Sequence, residues 1–155
     1  MPMICGKDYI GVSVGAMVFN HEGKVFLAKR GPLAANEHDH WEFPVGQVAF
    51  GEMLIDAVIR KFDEEYGLAI EIMDLLSVSD HFIPEDEQHW VSPTFIARHS
   101  GHDPDSIETE TCAEVGWFDL TSLPYPLSVM TIDNLQSYME KYDEAPCPYL
   151  TDAAE

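Results

Sequence analysis

The apolar positions of this chain change their period several times, and each change marks an element. Tyr9–Phe19 (YIGVSVGAMVF) is almost continuously apolar and rich in β-branched residues, the pattern of a buried strand. Asn20–Gly23 carries turn residues, and Lys24–Lys29 alternates, so the two segments predict a hairpin. Gly31–His40 is a polar loop, and Trp41–Pro44 is a short extended piece leading to Gly46. From Glu52 to Tyr66 the spacing becomes helical: Ile55, Val58, Ile59, Phe62 and Tyr66 fall within an arc of roughly 100° when each residue advances by about the same angle. Gly67 supplies the stop. Ala69–Val78 and Trp90–Arg98 predict two further strands around an acidic loop, Pro84–Gln88. His99–Thr111 reads as solvated, Val115–Phe118 as a short strand, and Leu127–Lys141 as a final amphipathic helix. Strands on both sides of a central helix, with a late helix, predict an α/β fold with a mixed sheet covered by helices.

At 155 residues the chain is expected to form one domain, residues 1–142, followed by a loosely held acidic tail, residues 143–155. Eight Lys and Arg against 28 Asp and Glu give a formal net charge of −20. That balance argues against nucleic acid or an anionic membrane as partner, since both require clustered basic groups. A phosphorylated small molecule remains open if a cation stands between carboxylate and phosphate. No apolar run approaches the ~18 residues of a membrane span, and no signal peptide is read at the N-terminus, so a cytoplasmic location is expected. The three cysteines (Cys5, Cys112, Cys147) show no metal-ligand spacing and read as free thiols.

The helix that starts at Glu52 carries the candidate chemistry. With Ile55 at 0°, Glu64 and Glu65 lie at roughly 180° and 280°, which places them together and away from most of the apolar stripe. Adjacent carboxylates repel unless a cation neutralises them, and Mg²⁺ suits one or two carboxylates completed by phosphate oxygens. On its own such a pair is more often a solvated acidic face. The preceding loop, with Trp41–Gly46 and Gly51, favours the functional reading, because glycine lets backbone approach a metal or phosphate closely.

Gly46, Glu52, Arg60, Phe62, Glu64, Glu65, Gly67 and Leu68 resemble the Nudix box, G-x5-E-x7-R-E-U-x-E-E-x-G-U, in which U is a bulky apolar residue. Eight of its nine fixed positions match. The run Trp41–Glu52 is similar to the family's approach to the box, with Val45 in place of a frequent glycine. Glu108–Pro124 resembles its late strand and turn. The resemblance implies an α/β/α sandwich with a mixed sheet and hydrolysis of a nucleoside diphosphate linked to another group. It further implies Mg²⁺, or Mn²⁺, held by Glu64, Glu65 and the carbonyl of Gly46, with Glu52 and Arg60 bracing the helix. Glu110 is a candidate further carboxylate, although a solvated loop acid is the simpler reading. A homodimer is also left open.

Lys61 departs from the family, which has glutamate there as metal ligand and often as general base. A lysine can pair with Glu65 one turn on, or meet a substrate phosphate directly. Either way, the loss of a ligand and candidate base predicts weakened activity. His81, His89, His38 and His40 are candidate replacements for the base, and Phe43, Phe82, His89 and Trp90 are candidates to contact the nucleotide. Each is more commonly exposed or simply part of the core. The readings that remain are a Mg²⁺-dependent nucleotide pyrophosphohydrolase, a nucleotide-sugar hydrolase with a histidine base, and a nucleotide-binding regulatory protein of low activity.

Overall fold

A computed structural model describes residues 1–34, 36–99 and 112–142. The strands are β1 (Gly11–Phe19), β2 (Val25–Arg30), β3 (Trp41–Glu42), β4 (Val45–Gln47), β5 (Ile70–Ile83), β6 (Gln88–His99) and β7 (Cys112–Phe118). The helices are α1 (Leu54–Tyr66) and α2 (Val129–Tyr142). The sheet runs β3-β2-β1-β6-β5, with β4 added to β1 and β7 to β2. β1 and β6 pair in parallel, with Gly11 opposite Trp90 and Phe19 opposite Arg98, whereas the other pairs of named strands are antiparallel among the described residues, so the sheet is mixed.

Strand alternation distributes the core over both faces. Val14, Ala16, Val18, Phe26, Ala28, Phe95 and Ala97 pack with Ala57, Val58, Phe62 and Tyr66 of α1. Met17, Phe19, Val25, Leu27 and Ile96 point the other way and pack with Tyr138 of α2, Trp41 and Phe43. This is the expected α/β/α sandwich.

Several boundaries differ from the expectation, each for a local reason. The helix begins at Leu54 rather than Glu52, because the Glu52 carboxylate accepts from the Ala49 N–H (3.1 Å) and holds the preceding loop. The acidic loop at Pro84–Gln88 is a single 3-10 turn, Pro84–Asp86, closed by Glu87 in the left-handed region (φ 52°). The strands on either side of it extend accordingly to Ile83 and Gln88 and form one long antiparallel hairpin. The β1–β2 hairpin closes as expected on Asn20, whose side-chain oxygen accepts from the N–H groups of Glu22 and Lys24. Beyond it the strands part: Phe19–Val25 is their register pair, and β2 then pairs along its length with β7.

The buried stripe of α1 is also rotated from the expected one. Ile55 is exposed, whereas Ala57, Val58, Phe62 and Tyr66 are buried. Taken from Ile55, the buried face centres near roughly 300°, so Lys61 (about 240°) and Glu65 (about 280°) lie toward the sheet, and Glu64 (about 180°) toward solvent. The two glutamates therefore do not share the outer face as their spacing suggested.

Candidate active site

The basic residues of α1 are each committed to acids nearby. The Arg60 guanidinium donates to both oxygens of Glu52 (2.7 and 3.0 Å) and to the carbonyl of Gln47 (3.3 Å), with a longer contact to Glu64 (3.4 Å). This fork ties the middle of the helix to the glycine-bearing loop in front of it. It draws the Glu52 carboxyl below its ordinary range, helped by the Ala49 N–H, and in turn raises the Arg60 guanidinium. Lys61 donates to Oε1 of Glu65 one turn on. Its side chain runs along Gly46: a Cβ at that glycine would stand 2.8 Å from Lys61 Cδ, so only glycine admits this path.

Sequence reading missed the partners on the sheet side. Arg30, at the end of β2, donates to Glu42 (2.8 Å), and also to the carbonyl (2.9 Å) and the side-chain oxygen (3.0 Å) of Asn36. Burial pushes the Glu42 carboxyl up, opposed by the charges of Arg30 and Lys61. Arg30, Glu42, Lys61 and Glu65 line one side of an open cleft of about 480 Å³. A second cavity, of about 230 Å³, shares Arg30, Glu42 and Val45 with it and extends between the β5–β6 hairpin and α2.

Trp90, Phe43 and Gly46 line that second cavity. Trp90 is clamped from behind, because a Cβ on Gly6 or Gly11 would collide with its indole, and its Nε1–H donates to Gln88 (2.8 Å). Phe43 is buried, and its N–H donates to the hydroxyl of Thr131 on α2 (3.1 Å). Phe82 and His89 are not brought to this place. They alternate with the lining residues His81, Ile83, Gln88 and Trp90, so they project from the other face of the hairpin. There they stack on each other at 4.3 Å, and His89 Nε2 lies 3.1 Å from Asp80. Of the other histidines, His38 is bonded to the Ala34 carbonyl (2.6 Å) and His40 to the His38 carbonyl (2.9 Å), while His81 lines the cavity. Glu110 and the tail from residue 143 lie outside the described residues.

The acids of α1 keep some oxygen donors free. Glu64 and Glu65 each use one oxygen on a neighbouring cation, Glu64 Oε2 on Arg60 and Glu65 Oε1 on Lys61. Glu64 Oε1 and Glu65 Oε2 carry no partner among the described residues, and they are hard oxygen donors of the kind Mg²⁺ and Mn²⁺ take. No group of three His, Cys, Asp or Glu converges among the described residues, so such an ion would need substrate oxygens and water to complete its shell.

A mixed sheet between two helices, with a glycine loop feeding a helix that bears Arg60, Glu64 and Glu65, defines a Nudix-type sandwich. A model of the NUDIX domain matches residues 10–138, and the chain belongs to that family. It is similar to the MutT NUDIX hydrolase of Burkholderia pseudomallei, with 35% identity and a TM-score of 0.75 over 83% of this chain and 98% of that one. It is similar also to the CTP pyrophosphohydrolase of Escherichia coli, 30% identical over 83% of this chain and 91% of the relative. An RNA pyrophosphohydrolase of Ruthia magnifica is 34% identical over 54% of this chain and 44% of its own length. The chain thus spans less than half of that last protein. Members of the family generally use a divalent metal, and its pyrophosphohydrolases are hydrolases.

Proposed function

We propose that the chain hydrolyses a pyrophosphate bond in a nucleoside triphosphate, or in another substrate linked through a nucleoside diphosphate, and that Lys61 slows the reaction. One observation carries this reading: Gly46 lines the cavity walled by Trp90 and Phe43, and the same glycine lies against the Lys61 side chain beside Glu65. A base between the hairpin and α2 would extend its phosphates past Gly46 to the box helix. The names of the relatives, CTP and RNA pyrophosphohydrolase, support pyrophosphate chemistry. The net charge of −20 favours a small nucleotide over an RNA chain.

In this reading Trp90 and Phe43 wall the base, with the indole available for stacking. The Arg60–Glu52 fork holds the loop of Gly46 against the helix. Lys61 keeps one oxygen of Glu65 turned inward and sets a positive charge beside the place of the phosphates. Glu64 and Glu65 would hold Mg²⁺ or Mn²⁺, which would supply charge neutralisation on the pyrophosphate and an activated water. Glutamate at position 61 would add a carboxylate there and remove the competing ammonium.

The test is a nucleotide panel with Mg²⁺ or Mn²⁺, run on the protein and its Lys61→Glu variant. The expected result is slow turnover that rises about a hundredfold in the variant, the scale of a restored base or ligand. An unchanged rate would remove position 61 from the catalytic machinery. The paired state of Glu65 favours a second reading, nucleotide binding with little catalysis. Its signature is micromolar nucleotide affinity with no turnover in the unsubstituted chain after prolonged incubation.

A further inference from the structure

Four side-chain amides line the cavity between the hairpin and α2, and three of them, Asn36, Gln88 and Asn134, are oriented in the same sense. Gln88 accepts from the Trp90 indole N–H (2.8 Å) and Asn36 from the Arg30 guanidinium (3.0 Å). Indole and guanidinium only donate, so these contacts fix the amide oxygens on them and leave Gln88 Nε2 and Asn36 Nδ2 without a partner among the described residues. Asn134, on α2 and 4% exposed, accepts from the Ser77 hydroxyl (3.1 Å), which leaves its Nδ2 without a partner among the described residues. That nitrogen is not sealed from solvent, so it can donate to a molecule held in the cavity. The carboxylates in the lining, Glu37 and Glu42, each already accept through one oxygen, from the Val129 N–H (2.9 Å) and from Arg30 (2.8 Å). Their other oxygens can take a ring or amino N–H.

The lining therefore asks for neighbouring acceptors with a donor beside them. Cytosine offers N3 and O2 next to its amino group, and guanine offers N7 and O6 next to N1–H. Adenine places its amino group between N1 and N7, and uracil places N3–H between its carbonyls. We propose that this cavity selects bases with two adjacent acceptors, cytosine or guanine, and that Asn134 is the specificity-determining residue, seconded by Gln88. The inference rests on the reading that this cavity holds the base of a nucleotide substrate.

Calorimetric titration with the non-hydrolysable α,β-methylene analogues of CTP, GTP, ATP and UTP tests it. The cytosine or the guanine analogue should bind about tenfold or more tightly than the adenine and uracil analogues, the effect of one buried donor left unpaired. Asn134→Asp, and independently the half-exposed Gln88→Glu, should each reduce that ratio about tenfold by setting an acceptor where a donor stood. The second variant keeps the test decisive if the buried substitution impairs folding. Equal binding of all four analogues, or a ratio unmoved in the folded variants, overturns the selectivity even if hydrolysis is observed. Absence of both nucleotide binding and turnover overturns the functional reading along with it.

Discussion

Replacing Lys61 by glutamate should make the stability of this fold depend on divalent metal. Lys61 and Glu65 form a half-buried pair, their side chains 19% and 31% exposed. Such a pair lies between exposed ion pairs, worth roughly 0.2–1 kcal/mol, and buried ones whose breaking costs 3–5 kcal/mol. Losing it costs about 1 kcal/mol, and the like-charge contact of two glutamates four residues apart adds about 0.2–0.5 kcal/mol. The Glu42 carboxyl, pushed up by burial, also loses the Lys61 charge that opposed the shift. A total near 1.5 kcal/mol corresponds to a melting temperature about 3–6 °C lower in a chelating buffer. Saturating Mg²⁺ then returns the loss, since an ion at a hundred times its dissociation constant stabilises by about 2.7 kcal/mol. In the unsubstituted protein the ammonium already serves Glu65, so Mg²⁺ should raise the midpoint by a degree or so at most. Thermal melts of both proteins, with EDTA and with Mg²⁺ at matched ionic strength, decide the matter. A variant that melts no lower than its parent without metal, or equal Mg²⁺ shifts in the two proteins, would refute the picture of a lysine standing in for a cation.

Two other outcomes follow from the fold. Phe62 is fully buried against Phe26 and Tyr66, so Phe62→Ala should cost about 3–5 kcal/mol in urea unfolding, and a loss below ~1 kcal/mol would contradict the placement of α1. The Asp74 carboxyl is held below its ordinary range by Lys141, with Tyr142 assisting, and so anchors α2 to β5. A carboxyl with a depressed native pKa contributes stability above its unfolded value and loses it as pH falls through the native one. Asp74→Asn should therefore flatten the acid limb of the stability–pH curve below about pH 4, and an unchanged limb would count against the anchor.

The helix that carries most of the box was legible because its apolar spacing lies within one continuous segment. What faces that helix was not. Ile55 fits the apolar stripe by angle yet is exposed, because α1 leans on the sheet through Ala57, Val58 and Phe62, and a helical wheel does not say where the sheet ends. Glu42 and Arg30 meet because β3 lies beside β2 with Ala28 opposite Glu42, a register that no local pattern encodes. Phe82 and His89 were attractive as types, but hairpin alternation sends them to the opposite face from Trp90, and that parity became readable only with the turn at Pro84–Asp86. Asn36, Gln88 and Asn134 come from a loop, a strand and a helix. Their one local signal was that polar amides stood beside apolar segments.

The close fit of Lys61 along Gly46 has a genetic side. Lysine and glutamate codons differ by a single base, and glutamate has the shorter stem of the two. A glycine that admits the lysine stem also admits the shorter glutamate stem. One point mutation thus separates an ammonium from a carboxylate at this position. If position 61 sets the rate as proposed, a lineage could cross between slow and fast turnover in either direction while keeping the same fold.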